Sequence, residues 1–245
     1  MKFDKPIVEG IFLKRYKRFF ADVRINGEVV VAHVPNSGSM KGCNMADIPC
    51  LVSLNDDPAR KLKYTLEMVK TPTSWVGVNT QVPNRIVKEA LEGKIFDHLK
   101  HFNKIFPEAK INEKTRLDFA LTNHDVSEFK KVDLKKGKEK FHFIEVKNVS
   151  LAENDIAKFP DSVTERGQKH LTELMQLVDW GHSAEILFTI QRSDGKTFSA
   201  AKEIDPDYAN LLEKAAKHGV KISPVLCELT NQGVVLTTKT LPFSL

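Results

Sequence analysis

Apolar and polar residues alternate in short runs along the first third of the chain, and turn residues separate the runs. Alternation with a period of two is typical of β-strands with one buried face. The pattern predicts one strand over residues 11–25 and a partner strand over residues 28–34, joined by a hairpin turn at Asn26-Gly27, where both residues tolerate positive φ. Further short strands are predicted at residues 51–54, 63–70 and 75–78. About five strands with little helix indicate a small β-barrel, with an OB-fold favoured and an SH3-like barrel as the alternative.

The pattern changes near Pro83, where longer segments with a helical repeat begin. A helix is predicted over residues 83–91, with Pro83 in its first turn and Gly93 at its end, and residues 95–102 are predicted to continue helical. Strands are predicted at residues 111–114, 116–122 and 141–149. The lysine-rich segment 130–140 is predicted to be an exposed turn.

A capping box opens the next element, because Ser162 is followed three residues later by Glu165. It predicts a helix over residues 163–180 that stops at Gly181. The remaining pattern predicts a buried strand at residues 184–191, a helix at residues 206–218, and strands at residues 220–229 and 234–239. Helix, three strands, helix and strand is the core order of the restriction-endonuclease-like fold, so an α/β domain with a mixed sheet is expected.

Composition agrees with two small domains, because 245 residues with 41% hydrophobic and 28% charged positions can bury a core in each. The barrel is expected over residues 1–80 and the α/β domain over residues 81–245. The chain has no run of about eighteen apolar residues, and its first residues lack the apolar region of a signal peptide, so no membrane partner is expected. Three cysteines without CxxC spacing favour reduced thiols over a zinc site and indicate a cytoplasmic protein.

Positive charge is concentrated in the barrel segment. Residues 1–80 hold 12 Lys and Arg against 8 Asp and Glu, which accounts for +4 of the formal net charge of +5. The charge is densest where basic and aromatic residues interleave, at Lys14, Arg15, Tyr16, Lys17 and Arg18. Cations suit phosphates and rings suit bases, so these five positions are predicted contacts with nucleic acid. The alternative is an ordinary exposed strand whose rings face the core.

Two carboxylates and a lysine are predicted to meet in the second domain. Glu145 and Lys147 are two positions apart in a predicted strand, so they project from the same face, with Val146 buried behind them. A neighbouring strand would bring Asp118 alongside. Carboxylates and a backbone carbonyl are the hard ligands that Mg²⁺ and Mn²⁺ prefer, and a lysine beside them can stabilise negative charge on phosphorus. This layout resembles the PD-(D/E)XK nuclease site.

Several segments together resemble the sugar fermentation stimulation protein family over nearly the whole chain. The segments are residues 36–40 (NSGSM), 78–80 with 84–85, 116–119, 144–147 and 159–171 (FPDSVTERGQKHL). The resemblance implies an N-terminal OB-type domain, a C-terminal PD-(D/E)XK domain, DNA binding, and a role in regulating sugar-use genes. It does not decide whether the nuclease-like site cuts DNA.

The expected roles in that site follow the chemistry of the side chains. Asp118 and Glu145 would ligate Mg²⁺ or Mn²⁺ through carboxylate oxygens, and Val146 through its carbonyl. Lys147 would orient the attacking water or neutralise the transition state. The alternative for Asp118 is a salt bridge to Arg116 or to Lys147.

Helix residues supply further candidates. Glu89 lies on the helix that precedes the strands and is a candidate catalytic carboxylate, with a pair to an arginine one turn earlier as the alternative. Gln168 is predicted to lean towards the site from the start of the later helix, and is also taken as catalytic. Arg166 and Lys169 near the same N-terminus are predicted to reach a phosphate, with a solvated helix face as the alternative. Asn36 lies in a loop that either contacts a phosphate or only connects two strands.

The sequence thus predicts a DNA-binding protein that hydrolyses phosphodiesters with Mg²⁺ or Mn²⁺, and an inactive DNA-binding transcriptional regulator is the alternative. It leaves open whether the DNA is single- or double-stranded. It also leaves open the oligomeric state, for which a homodimer is one option.

Overall fold

The computed structural model describes residues 1–244. The first sheet comprises β1 (Ile7–Tyr16), β2 (Phe20–Ile25), β3 (Glu28–His33), β4 (Ile48–Leu54), β5 (Tyr64–Lys70) and β6 (Trp75–Gly77). Its order is β3-β2-β1-β4-β5-β6, and a parallel pairing of β3 with β5 closes it into a barrel. Five strands paired in this way form an OB-fold, so the prediction of an N-terminal OB-type barrel is confirmed.

The prediction of one strand over residues 11–25 is wrong. The chain reverses between β1 and β2, so that Tyr16 pairs with Phe20. Lys17 and Arg18 make the reversal with φ of 45° and 65°, a conformation that a propensity argument does not anticipate for residues other than glycine. The next turn is as predicted, because Asn26 and Gly27 adopt φ of 50° and 87°.

The second domain contains a mixed six-stranded sheet. Its strands are β7 (Lys104–Lys110), β8 (Arg116–Thr122), β9 (His142–Val149), β12 (Ser183–Ile190), β14 (Lys221–Thr230) and β15 (Gly233–Thr240), in the order β15-β14-β12-β9-β8-β7. The helices are α1 (Val82–Glu92), α2 (Glu165–Asp179) and α3 (Pro206–Lys217). Buried residues of α1 pack on one face of the sheet and those of α2 and α3 pack on the other. No helix among residues 1–244 is long and apolar enough to cross a membrane.

A smaller sheet, which the sequence pattern did not predict, borders the larger one. It comprises β10 (Leu151–Glu153), β11 (Ile156–Phe159), β13 (Thr197–Ala200) and β16 (Phe243–Ser244). Two other predictions are wrong. Residues 95–102 form turns because Lys94 takes φ of 53° after α1, and residues 111–114 form the turn after β7 instead of a strand. A short 3₁₀ turn, Phe129–Lys131, overlaps the start of the lysine-rich segment.

The helix α2 begins two residues later than the capping box predicted. Thr164, not Ser162, is the N-cap, because the Thr164 hydroxyl accepts a hydrogen bond from the Gly167 amide at 3.1 Å. Asp205 fixes this end, because its carboxylate accepts hydrogen bonds from the Thr164 amide at 2.8 Å and from the Tyr208 amide at 2.9 Å. One buried carboxylate therefore joins the N-termini of α2 and α3.

Backbone contacts fix the barrel against the second domain. The Gly77 amide donates to the Gln191 carbonyl at 2.9 Å, and the Ser193 amide donates to the Ser74 hydroxyl at 2.9 Å. A Cβ on Gly77 would lie 2.2 Å from Oε1 and 3.1 Å from Cβ of Gln191, so a side chain at this position would force the Gln191 side chain to shift. The result is a cleft with one wall from each domain.

Candidate active site

The strand pattern brings Asp118 and Glu145 together. The ladder between β8 and β9 ends at the pair Phe119–Ile144, which leaves Asp118 facing the position of Glu145 on the next strand. Where the ladder stops, Oδ2 of Asp118 accepts a hydrogen bond from the Val146 amide at 2.7 Å, in the place of a strand carbonyl. Its Oδ1 accepts a hydrogen bond from Nδ2 of Asn84, on α1, at 2.6 Å.

Glu145 lies at the centre of a buried polar group. Its Oε1 accepts a hydrogen bond from the Lys147 ammonium at 2.5 Å and contacts Nδ1 of His170. The Lys147 ammonium also lies 3.4 Å from that nitrogen, and Nε of Arg166 donates to the other ring nitrogen at 3.5 Å. Glu145 is only 3% exposed, and its second oxygen, Oε2, has no hydrogen-bond partner within residues 1–244. A buried carboxylate oxygen without a partner is costly unless a ligand satisfies it.

The two carboxylates titrate differently because their surroundings differ. Burial and the nearby charge of Glu145 raise the pKa of Asp118 to about 7, against hydrogen bonds from Val146 and Asn84 that favour its ionised form. Burial also acts to raise the pKa of Glu145, but the Lys147 ammonium and His170 outweigh it and hold that pKa below its ordinary value. At neutral pH Glu145 therefore carries a negative charge, and a bound cation would stabilise the negative charge on Asp118.

The donors fit a hard divalent cation that keeps water ligands. Within residues 1–244, no group of three or more His, Cys, Asp or Glu side chains is arranged to hold a metal. Asp118 and Glu145 supply two carboxylates, and Val146 lines the same cleft. Oxygen ligands of this kind suit Mg²⁺ and Mn²⁺, which typically retain several waters. The unpartnered Oε2 of Glu145 is the observation that favours a cation here.

The cleft above the carboxylates has a volume of about 620 Å³ and is lined by both domains. The barrel side contributes Arg18, Asn36 and Gly38, and the other side contributes Asn148, Lys158 and Arg166. Lys158 is paired with Glu153 and Glu203 at 2.9 and 2.7 Å, so the positive charge of this lining that is not paired with a carboxylate among residues 1–244 comes from Arg18 and Arg166.

The loop that forms the barrel wall is held by Arg15 and Asp161. Nη1 and Nη2 of Arg15 donate to the carbonyls of Gly38 and Asn36 at 2.9 and 2.6 Å, and Oδ2 of Asp161 accepts from the Met40 amide at 2.8 Å. Asn36 is 3% exposed, and its amide donates to the Val78 carbonyl at 2.8 Å. Arg15 and Asn36 therefore shape the wall of the cleft, and their polar groups are largely engaged within the protein.

The rest of the basic segment is divided between the cleft and the solvent. Lys14 pairs with Asp22 at 3.4 Å, and the Tyr16 ring stacks on Phe20 with centroids 5.8 Å apart. Lys17 lies exposed in the turn, and Arg18 is the member of the segment that lines the cleft.

Two residues predicted to be catalytic lie away from the carboxylates. Oε2 of Glu89 pairs with the Met1 ammonium at 2.6 Å, because the rotation of α1 turns Asn84 to the site instead. Gln168 donates to Oδ1 of Asp205 at 2.9 Å, at the joint between α2 and α3. The structure therefore does not bring Glu89 or Gln168 to the site.

The same helices supply two residues that the sequence argument missed. Asn84 occurs in a segment that carried the family resemblance, which was a usable signal. His170 is four positions before Leu174, so it extends the buried stripe of α2, and this spacing could have predicted that His170 is buried. Lys169, in contrast, is exposed, and its ammonium lies 3.4 Å from the Lys114 carbonyl outside the cleft.

Comparison with known proteins gives matches along the chain. A family model described as the sugar fermentation stimulation protein RE domain matches residues 81–233, and one described as the SfsA N-terminal OB domain matches residues 13–78. A sugar fermentation stimulation protein homolog of Bdellovibrio bacteriovorus is 51% identical over 100% of both chains, and one of Geotalea uraniireducens is 42% identical over 98% of both. The structure of Pyrococcus furiosus SfsA in complex with Ca²⁺ superimposes with a TM-score of 0.84 at 24% identity, covering 100% of this chain and 98% of that one. This structural similarity, at 24% sequence identity, shows a shared fold.

Proposed function

The chain belongs to the sugar fermentation stimulation protein family, and we propose that it binds DNA and hydrolyses phosphodiester bonds with a divalent metal ion. The observation that carries the proposal is the pair Asp118–Glu145 beside Lys147, in a cleft that Arg18 and Arg166 also line. Among residues 1–244 one buried oxygen of Glu145 has no hydrogen-bond partner, and the raised pKa of Asp118 reflects a second charge that a bound cation would stabilise further. The archaeal protein of this fold was solved with Ca²⁺, a cation of the same hard class.

Different residues of the site would have different roles in hydrolysis. Asp118, Glu145 and the Val146 carbonyl would hold Mg²⁺ or Mn²⁺, and the ion would lower the pKa of water and polarise the phosphate. Lys147 is held by Glu145 at 2.5 Å and lines the cleft, where its ammonium stabilises the charge that develops on the phosphate oxygens. Water adds to phosphorus, the bond to one ester oxygen breaks, and the products are a phosphate monoester and an alcohol.

Arg18 and Arg166 favour binding whether or not the bond is cut, because both line the cleft and neither is paired with a carboxylate among residues 1–244. A DNA-binding regulator without turnover is therefore the second candidate, and the family name connects it with sugar fermentation. Both candidates require DNA in the cleft. They differ only in the role of the carboxylates.

The test is cleavage of end-labelled single- and double-stranded DNA with Mn²⁺ or Mg²⁺. The parent should cut at least one of these substrates, and Asp118→Asn and Lys147→Met should each lose about 100-fold or more in rate. Asp56→Asn, an exposed aspartate outside the cleft, is the matched control and should cut like the parent. Binding is followed by fluorescence anisotropy in the same samples. Binding without cutting by the parent would favour the regulator, and equal cutting by all variants would refute the assignment of the site.

A further inference from the structure

The catalytic cleft continues along the protein surface as two more cavities. Arg166 lines both the cleft and a cavity of about 550 Å³ between α2 and the β7–β8 turn. Lys110 and Asn112 line that cavity and also a third, of about 440 Å³, beneath the lysine-rich segment. We name the second and third cavities together the furrow. Its outer residues are Lys110, Lys114, Arg116, Lys130 and Lys135.

The furrow is strongly basic. Seven Lys and Arg side chains line it against three carboxylates. One of those carboxylates, Glu108, lies 3.5 Å from Arg116, and another, Asp133, accepts hydrogen bonds from the backbone amides of residues 135 and 136. Among residues 1–244, no carboxylate lies within 4.0 Å of the ammonium groups of Lys110, Lys114 or Lys135. Their charge is available to a ligand.

The barrel offers less free charge than its composition suggests. The guanidinium of Arg15 donates hydrogen bonds to the loop carbonyls, and Lys14 pairs with Asp22. In the furrow, by contrast, Lys110, Lys114 and Lys135 have no carboxylate within 4.0 Å among residues 1–244, and Arg166 lies at the end next to the cleft. The other furrow cations are paired: Arg116 with Glu108, Lys130 with Glu128 at 3.2 Å, and Lys169 with Glu173 at 3.7 Å. A row of cations that begins beside the reacting groups suits a polyanion that extends from them. The half-buried rings of Phe129 and Trp180 at the far end provide a surface on which a base can rest.

We propose that the furrow holds the sugar-phosphate backbone of DNA beyond the phosphate in the cleft. The strand leaves the cleft at Arg166, passes Lys114 and Lys169, and ends at Lys130 and Lys135. The substrate is therefore a strand long enough to reach the lysine-rich segment, and short oligonucleotides bind through the cleft alone. The inference rests on the proposed DNA-binding function but not on cleavage.

The test compares two triple variants of the full chain with equal changes in charge. The furrow variant is Lys110→Gln/Lys114→Gln/Lys135→Gln, which removes the three ammonium groups that have no carboxylate partner among residues 1–244. The control is Lys61→Gln/Lys214→Gln/Lys239→Gln, three exposed lysines that do not line the cleft or the furrow. Affinity for labelled DNA is measured against salt concentration, with strands of about 4 and about 30 nucleotides, the shorter being near the low end of known single-strand site sizes. The longer strand is tested both single and paired.

Each lost phosphate contact should lower the slope of log affinity against log salt by about 0.7 to 0.9, so the furrow variant should lose about 2 in slope on the longer strand. Its affinity for the shorter strand, and the control's affinity for both strands, should match the parent. If the two triple variants show the same affinity and salt slope on the longer strand, the proposal that the furrow holds DNA is refuted, and the proposal of DNA binding in the cleft is unaffected. A parent that binds no DNA at low salt would overturn both proposals. If the parent protein binds DNA without cutting it, only the proposed hydrolysis is refuted. The comparison of salt slopes between the two triple variants would still test whether the furrow binds DNA.

Discussion

Replacing Asp118 by asparagine should stabilise the metal-free protein at neutral and alkaline pH. Burial and the charge of Glu145 raise the pKa of Asp118 from 3.8 to about 7. At about 1.4 kcal/mol per pKa unit the shift corresponds to roughly 4 kcal/mol, and because Asp118 is only half-buried we expect about 2 kcal/mol after solvent screening. Asparagine has the same shape and removes the charge, and Asn84 can rotate its amide to pair with it.

The direction of the pH dependence follows from the raised pKa. Below the ordinary pKa of 3.8, Asp118 is protonated in the folded and unfolded states and costs nothing. As the pH rises from 3.8 to about 7, the unfolded chain releases this proton while the folded protein retains it, so folding becomes less favourable. The advantage of Asp118→Asn should therefore be small at acid pH, grow through this window, and be constant above it.

Urea denaturation in the presence of EDTA, near pH 5 and near pH 8, measures this advantage. Asp56→Asn is the control and should follow the parent at both pH values. Excess Mn²⁺ should then stabilise the parent, by about 2.7 kcal/mol at 100 times the dissociation constant, and should stabilise Asp118→Asn much less. A variant that is less stable than the parent at pH 8, or whose advantage does not change with pH, would refute the electrostatic reasoning.

Four further substitutions test other parts of the structure, each by urea denaturation. Thr164→Ala should cost about 1 kcal/mol through loss of the α2 N-cap, while Ser162→Ala should cost almost nothing, and the reverse result would restore the predicted capping box. Glu185→Gln should cost about 1–3 kcal/mol at pH 7. Burial acts to raise the pKa of Glu185, but hydrogen bonds with His142 and a second histidine override it and lower the pKa to about 2. The cost should therefore shrink as the pH falls from 4.5 towards 2, and a cost that stays constant would contradict the assignment. Tyr208→Phe should be neutral or stabilise the protein by about 1 kcal/mol, because the buried hydroxyl has no hydrogen-bond partner within residues 1–244, and a loss of stability would reveal a partner.

Strand patterns predicted the central geometry because alternation fixes side-chain direction locally. Glu145 and Lys147 are two residues apart in β9, so any regular strand brings them to one face. The same argument identified Val146 as buried on the other side. The Asn26-Gly27 turn was also local, since it depends only on the conformations that these two residues tolerate.

Helix residues were harder to assign because a helix presents a residue to the site only at one rotation about its axis. The packing of α1 on the sheet selected Asn84 and turned Glu89 to the N-terminus. On α2, Gln168 forms a hydrogen bond where the helix meets α3, and His170 contacts Glu145. Both choices depend on contacts between residues far apart in the chain, which a periodic pattern does not contain.

The sequence by itself predicted the OB-type barrel, the core order of helix, three strands, helix and strand in the second domain, and the carboxylates and lysine of the candidate site, since these follow from local backbone preference and from a family resemblance. Only the tertiary structure decided how the basic residues are used. Arg15 donates hydrogen bonds to loop carbonyls, whereas Lys110, Lys114 and Lys135 have no carboxylate partner in the described part of the chain, residues 1–244. Whether a charge is paired or available depends on which distant groups packing brings within a few ångströms, because short-range Coulomb and hydrogen-bond energies depend on those distances.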